Sequence, residues 1–136
     1  MTAKHILSAP LISMIIITAL VISSIAHAED WLFVERSKTD VFEARKGTLQ
    51  HGLLGTSPAV TMLVRIKHAD DTFTFARYFV TVEDCGKGYG VVVTNSIQGK
   101  FLHQADYVIG GGSIACVIAE TMCAVLNKPT TSGMSL

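Results

Sequence analysis

The 136 residues carry no excess charge of either sign: eleven Lys and Arg face eleven Asp and Glu. Charge-driven binding of nucleic acid or of an anionic membrane is thereby excluded as the main activity. No repeat, low-complexity tract or interdomain linker interrupts the chain, which reads as one continuous domain. The histidines beyond residue 28 are His51, His68 and His103, widely spaced, in no HExxH pattern and without a CxxC pair; no metal centre and no cofactor are expected. Gly86-Lys87-Gly88-Tyr89-Gly90 lacks the lysine placement of a phosphate-binding loop and reads as a hairpin turn. The carboxylates at Glu29, Asp30, Glu83 and Asp84 are sequence neighbours. Neighbours in a strand point to opposite faces, the wrong arrangement for paired acid and base work. With no convincing catalytic set, no enzyme is expected.

What is present begins with a leader. Lys4 supplies a positive start, Leu11 to Ile22 an apolar middle and Ala26-His27-Ala28 a small-x-small cleavage pattern, the order of a secretory signal peptide over residues 1–28. The uncharged run from Ile6 to Ala26 is long enough to cross a bilayer, but Pro10 and the serines at 8, 13, 23 and 24 dilute it, so cleavage is favoured over anchoring. No cysteine stands at the cleavage point to carry a lipid. The expected product is exported, with no membrane attachment after cleavage: periplasmic, at the cell surface or secreted. Its 136 − 28 = 108 residues suffice for one core and are too few for a two-domain enzyme or a large barrel. Without Lys4 the balance is ten basic against eleven acidic residues.

From Trp31 onward apolar residues mostly alternate with polar ones, the mark of strands with one buried face. Trp31 to Arg36 and Asp40 to Arg45 read as a hairpin, with Trp31, Phe33 and Val41 expected inside. Gln50 to Pro58, punctuated by Gly52, Gly55, Ser57 and Pro58, reads as a loop. Ala59 to Lys67 is the clearest strand, with Val60, Met62, Val64 and Ile66 on one side. After the Asp70-Asp71 turn, Phe73 to Glu83 answers it; aromatics on both faces predict a covering element on each side. Tyr89 to Ile97 and a broken strand from Phe101 to Ile109 follow. Ser113 is then positioned to cap a helix from Ile114 to Asn127, stopped by Pro129. Gly111-Gly112-Ser113-Ile114-Ala115 has the outline of a nucleophile elbow, but so small a domain cannot house the scaffold that elbow serves, and Ser113 is read as a cap. The fold class is therefore α+β, an antiparallel meander packed with a C-terminal helix over residues 29–128, with a flexible tail at 129–136.

Export places Cys85, Cys116 and Cys123 in an oxidising compartment. On one helix, Cys116 and Cys123 would be about 10.5 Å apart along the axis, beyond the roughly 7 Å limit for a disulfide. Cys85 is then the common partner, and since seven residues are nearly two turns, helix geometry leaves both Cys116 and Cys123 open to it. A bridge to Cys123 closes the longer loop and is preferred on chain entropy; Cys116 then reads as a small buried hydrophobe.

The order of these parts resembles the bacterial surface-adhesin protein E family. Trp31 stands just inside the mature end, Asp40 to Arg45 is followed by Gly47-Thr48, Asp84-Cys85 supplies an Asp-Cys pair, and Ile118-Ala119 leads to Cys123. The resemblance spans about Asp30 to Lys128 and implies a Cys85–Cys123 bridge and a non-catalytic module that binds a protein partner, a host extracellular matrix or plasma protein. The alternative is a periplasmic inhibitor or immunity protein that blocks a toxin or hydrolase. A protruding loop or strongly acidic patch would favour the alternative, and a broad mixed-charge face the adhesin. The recognition segments expected on a rigid sheet are Gln50 to Pro58 and Asp70 to Phe73.

Overall fold

The computed structural model describes residues 30–127; the leader and the tail lie outside the described residues. Seven strands form one antiparallel sheet: β1 (Trp31–Arg36), β2 (Val41–Arg45), β3 (Gln50–Leu54), β4 (Ser57–Lys67), β5 (Phe73–Thr81), β6 (Tyr89–Ser96) and β7 (Phe101–Val108). A short helix α1 (Val82–Lys87) joins β5 to β6, and α2 (Ile114–Cys123) follows β7, ending in a 3-10 turn at Ala124–Asn127. The spatial order is β1-β2-β4-β5-β6-β7, with β3 also paired to β4. The fold is α+β.

The 11-residue β4 is the axis of the sheet. Its C-terminal half pairs with β2, Ala44 facing Val64, and its N-terminal half with β3, His51 facing Val60. Along its other edge β5 places Val80, Tyr78 and Ala76 opposite Val60, Met62 and Val64. All six are buried, and with Val92 and Tyr107 they form the inner face. Helix α2 closes it with Ile118, Ala119 and Met122. Ser113 caps the helix, its hydroxyl accepting the Cys116 N–H at 3.3 Å. With no acidic residue in its first turn and no basic residue in its last, α2 owes its place to this apolar face.

Several features depart from the reading of the sequence. Gln50 to Pro58 is a hairpin, β3 turning into β4 through Gly55 at φ +62°. The punctuating residues sit where they do no harm. Gly52 is opposite Ala59, and the methyl of the diagonal neighbour Thr61 would lie 3.2 Å from any Cβ placed there. The glycine cluster at 86–90 is no hairpin turn either. β5 stops at Thr81, which caps α1 by accepting the Asp84 N–H at 3.1 Å. Acidic Glu83 and Asp84 sit in the first turn, Lys87 in the last, and Gly88 ends the helix in the left-handed region. The strand from Phe101 is unbroken to Val108, with a register shift near Asn95. The α-helix stops at Cys123 rather than Asn127. Trp31 and Val41 are only half-buried, and Phe33 is 63% exposed, because among the described residues no element covers its side of the sheet.

Gly90 makes one close approach. A Cβ there would fall 2.3 Å from Asp84 Oδ2, and the same carboxylate accepts the Val91 N–H at 3.4 Å. Gly90→Ala is expected to destabilise the domain by about 2 kcal/mol through this overpacking, measured by urea unfolding.

Helix α1 also positions a cysteine. Cys85 is bonded to Cys123, with Cα atoms 5.4 Å apart, so the β5–β6 connection is tied to the far end of α2. Cys116 is buried and free. The Ser113 hydroxyl donates to its Sγ at 3.1 Å and, with a backbone contact from Val108, holds the thiol below its ordinary pKa. Gly111 packs against it so closely that a Cβ would lie 2.5 Å from the sulfur.

Candidate binding face

Aromatics on both sides of β5 predict two covering elements, but among the described residues only the inner face is closed by a helix. The outer face is built by strand alternation from Trp31 on β1, Glu43 and Arg45 on β2, Leu63, Arg65 and Lys67 on β4, and Phe73, Phe75, Arg77 and Phe79 on β5. Register sets the neighbours: Trp31 opposite Arg45, Glu43 opposite Arg65, Arg65 opposite Phe75, Lys67 opposite Phe73, and Leu63 opposite Arg77. Phe73 and Phe75 remain 46% and 40% exposed.

Arg65 is the centre of this face. Its Nε and Nη2 both donate to Glu43 Oε2 at 2.7 Å. The guanidinium carbon lies 4.6 Å from the Trp31 ring centroid and 4.9 Å from that of Phe73, within cation–π range of both. Trp31 and Phe75 meet at 5.8 Å with their planes tilted by 56°, an arrangement that aromatic quadrupoles favour. The carboxylate fixes the guanidinium, the guanidinium fixes two rings, and the Trp31 ring touches a third. The patch is therefore ordered before anything binds, which lowers the entropic cost of docking.

The Asp70 to Phe73 turn borders this patch and contributes Phe73 to it. Thr72 donates to Asp70 Oδ1 through its hydroxyl at 2.6 Å and its N–H at 3.0 Å. These bonds hold the Asp70 carboxyl below its ordinary pKa. The Gln50 to Pro58 segment contributes its backbone to the sheet and leaves Leu53 exposed.

One constellation escapes any inspection of spacing. His68 Nδ1 lies 2.8 Å from Asp40 Oδ1, and its Nε2 lies 2.7 Å from Thr74 Oγ1. Asp40 is 28 residues away in the chain, and only the antiparallel pairing of β2 with β4 brings it in. The connectivity is that of a hydrolytic triad, which also requires donors aimed at a developing oxyanion. Three backbone amides of this turn are engaged elsewhere: His68 N–H to the Thr72 carbonyl, Asp71 N–H to the His68 carbonyl, and Thr72 N–H to Asp70. The geometry shown is that of a brace between the β1–β2 and β4–β5 turns. His51 and His103 stand apart and exposed. Among the described residues no three His, Cys, Asp or Glu side chains gather as a metal site, and no helix is long and apolar enough to cross a membrane.

Comparison of the chain with protein-family models, with curated proteins and with solved structures finds no match in any of the three.

Proposed function

We propose that the chain is an exported, non-catalytic binding module that holds a protein partner on the open face of its sheet. The resemblance to the surface-adhesin protein E family makes a host extracellular matrix or plasma protein the favoured partner. The observation that carries this reading is the Trp31–Arg65–Phe73–Phe75 patch. Trp and Arg dominate the energetics of protein interfaces, and rigid aromatics give large contact area at small entropic cost. Export is supported by the Cys85–Cys123 disulfide, which suits an oxidising compartment. The face mixes Arg65 and Arg77 with Glu43, and its breadth across β1, β2, β4 and β5 favours the adhesin over an inhibitor that plugs a cleft.

The test immobilises the mature domain and measures retention of matrix and plasma proteins beside an envelope extract. The double variant Trp31→Ala, Phe75→Ala is expected to weaken retention at least about thirtyfold, the loss of roughly 2 kcal/mol from an interface hot spot. Its thermal unfolding should stay close to that of the parent, because both rings lie outside the core. Retention unchanged in the double variant moves the site off this face. Selective enrichment of a bacterial hydrolase replaces the adhesin reading with the inhibitor.

A further inference from the structure

A second feature of the outer face is polar. Register aligns Arg45, Leu63 and Arg77 in one row across β2, β4 and β5: Ala44 faces Val64, which sets Arg45 beside Leu63, and Leu63 faces Arg77. Adjacent strands lie about 4.8 Å apart, so the two arginine backbones are roughly 10 Å from each other with only Leu63 between. Two neighbouring cations of this face have partners. Arg65 is bonded to Glu43, and Lys67 lies 3.0 Å from Asp71. Among the described residues neither Arg45 nor Arg77 has a carboxylate. Two like charges in one row repel, so a sheet that keeps them gains from an anion placed between them.

The space for that anion exists. A cavity of about 220 Å³ is lined by Arg45 and Arg77, with Gly47, Thr48, Gln50, Thr61 and Leu63 completing it, and among the described residues no carboxylate contributes to its wall. Thr48 anchors the rim: its hydroxyl donates to the Arg45 carbonyl at 2.7 Å and accepts the Leu63 N–H at 3.1 Å. Thr61 is only 6% exposed, and its Oγ1 is buried without a hydrogen-bond partner. A buried hydroxyl with no partner costs free energy. A bound acceptor would relieve that cost together with the arginine repulsion.

We infer that this cavity binds a tetrahedral oxyanion, a sulfate or phosphate group, held between the guanidiniums of Arg45 and Arg77 with the Thr61 hydroxyl as a third donor. Guanidinium forks match such oxygens in charge and in spacing, and a tetrahedral group accepts from three directions where a carboxylate offers a single plane. The inference deepens the binding-module reading and rests on it for its biological sense, since the cavity opens on the same face. The partner would present a sulfate or phosphate ester beside its contact with Trp31 and Phe75.

The test follows amide shifts of the mature domain during titration with sodium sulfate and, separately, sodium phosphate, with sodium chloride holding ionic strength constant. Saturable shifts are expected at Thr48, Thr61, Leu63 and Arg77, and Arg45→Gln or Arg77→Gln should weaken binding about tenfold, as for loss of a charge-assisted bond. The tighter of the two anions identifies the ester. Shifts that chloride reproduces, that fail to saturate, or that persist unaltered in a folded Arg77→Gln variant overturn the site. Because the titration needs no partner, it is separable from the retention experiment. A partner held equally by parent and Arg77→Gln, with no saturable anion shift, overturns the oxyanion site and leaves the binding module standing.

Discussion

Replacing Cys85 and Cys123 together by serine is expected to lower the unfolding free energy by about 4 kcal/mol, the chain-entropy value for the 38-residue separation they close. A domain of this size has a total stability of roughly 5–15 kcal/mol, so the variant would sit near the edge of folding at physiological temperature. The mechanism is specific to where the bond lies. Cys85 is on α1, which buries no residue of its own, whereas Cys123 is buried at the end of α2. The bond thus attaches a surface turn to the element that closes the core. Urea unfolding of the double variant measures the effect, and thiol titration checks the premise. The denatured, unreduced protein should expose one reactive thiol, Cys116, and the reduced protein three. An unfolding midpoint equal to the parent's would show that the bond contributes nothing to the fold.

Met122→Ala is the second large effect, expected to cost about 3 kcal/mol. Met122 is fully buried in the cluster that includes Val60, Met62 and Val64 of β4 and Ile118 and Ala119 of α2. Truncation removes three heavy atoms from water-excluded packing and leaves a void that neighbours fill only in part. Phe33→Ala supplies the contrast. That ring is larger, yet it is 63% exposed on the uncovered side, and its loss should shift stability by less than about 1 kcal/mol. Equal losses in the two variants would mean that α2 does not close the core as described.

How much of this was legible beforehand depends on whether the signal is local. The alternation of Val60, Met62, Val64 and Ile66 marks β4 because each side chain reports its own face. Ser113 followed by an uninterrupted helical run marks α2 for the same reason. β3 is invisible in the sequence, since glycines and a proline normally end strands, and the close Thr61 methyl that leaves little room for a side chain at Gly52 is a product of pairing. From sequence α1 reads as strand and turn because a six-residue helix has almost no period to detect; its signal is the cap, Thr81 three residues before Asp84, hidden within a β-rich run. The candidate face was half visible. Alternation put Phe75, Arg77 and Phe79 on one side of β5, but which residue faces which depends on pairing register. The Glu43–Arg65 bond, the Arg45–Leu63–Arg77 row and the Asp40–His68–Thr74 chain are products of register alone.

The order in which the parts leave the ribosome or a translocation pore has a physical consequence. Each strand pairs with a near neighbour in sequence, while α2 comes last and supplies Ile118, Ala119 and Met122 to cover the apolar side. A nascent chain emerging vectorially therefore holds most of its sheet with the Val60, Met62 and Val80 surface wet and sticky, an invitation to aggregate. Both thiols come together only once α2 has arrived, so when an oxidant of the exporting compartment takes up the two electrons and two protons that Cys85 and Cys123 release, the bond acts as a latch that closes only on finished molecules.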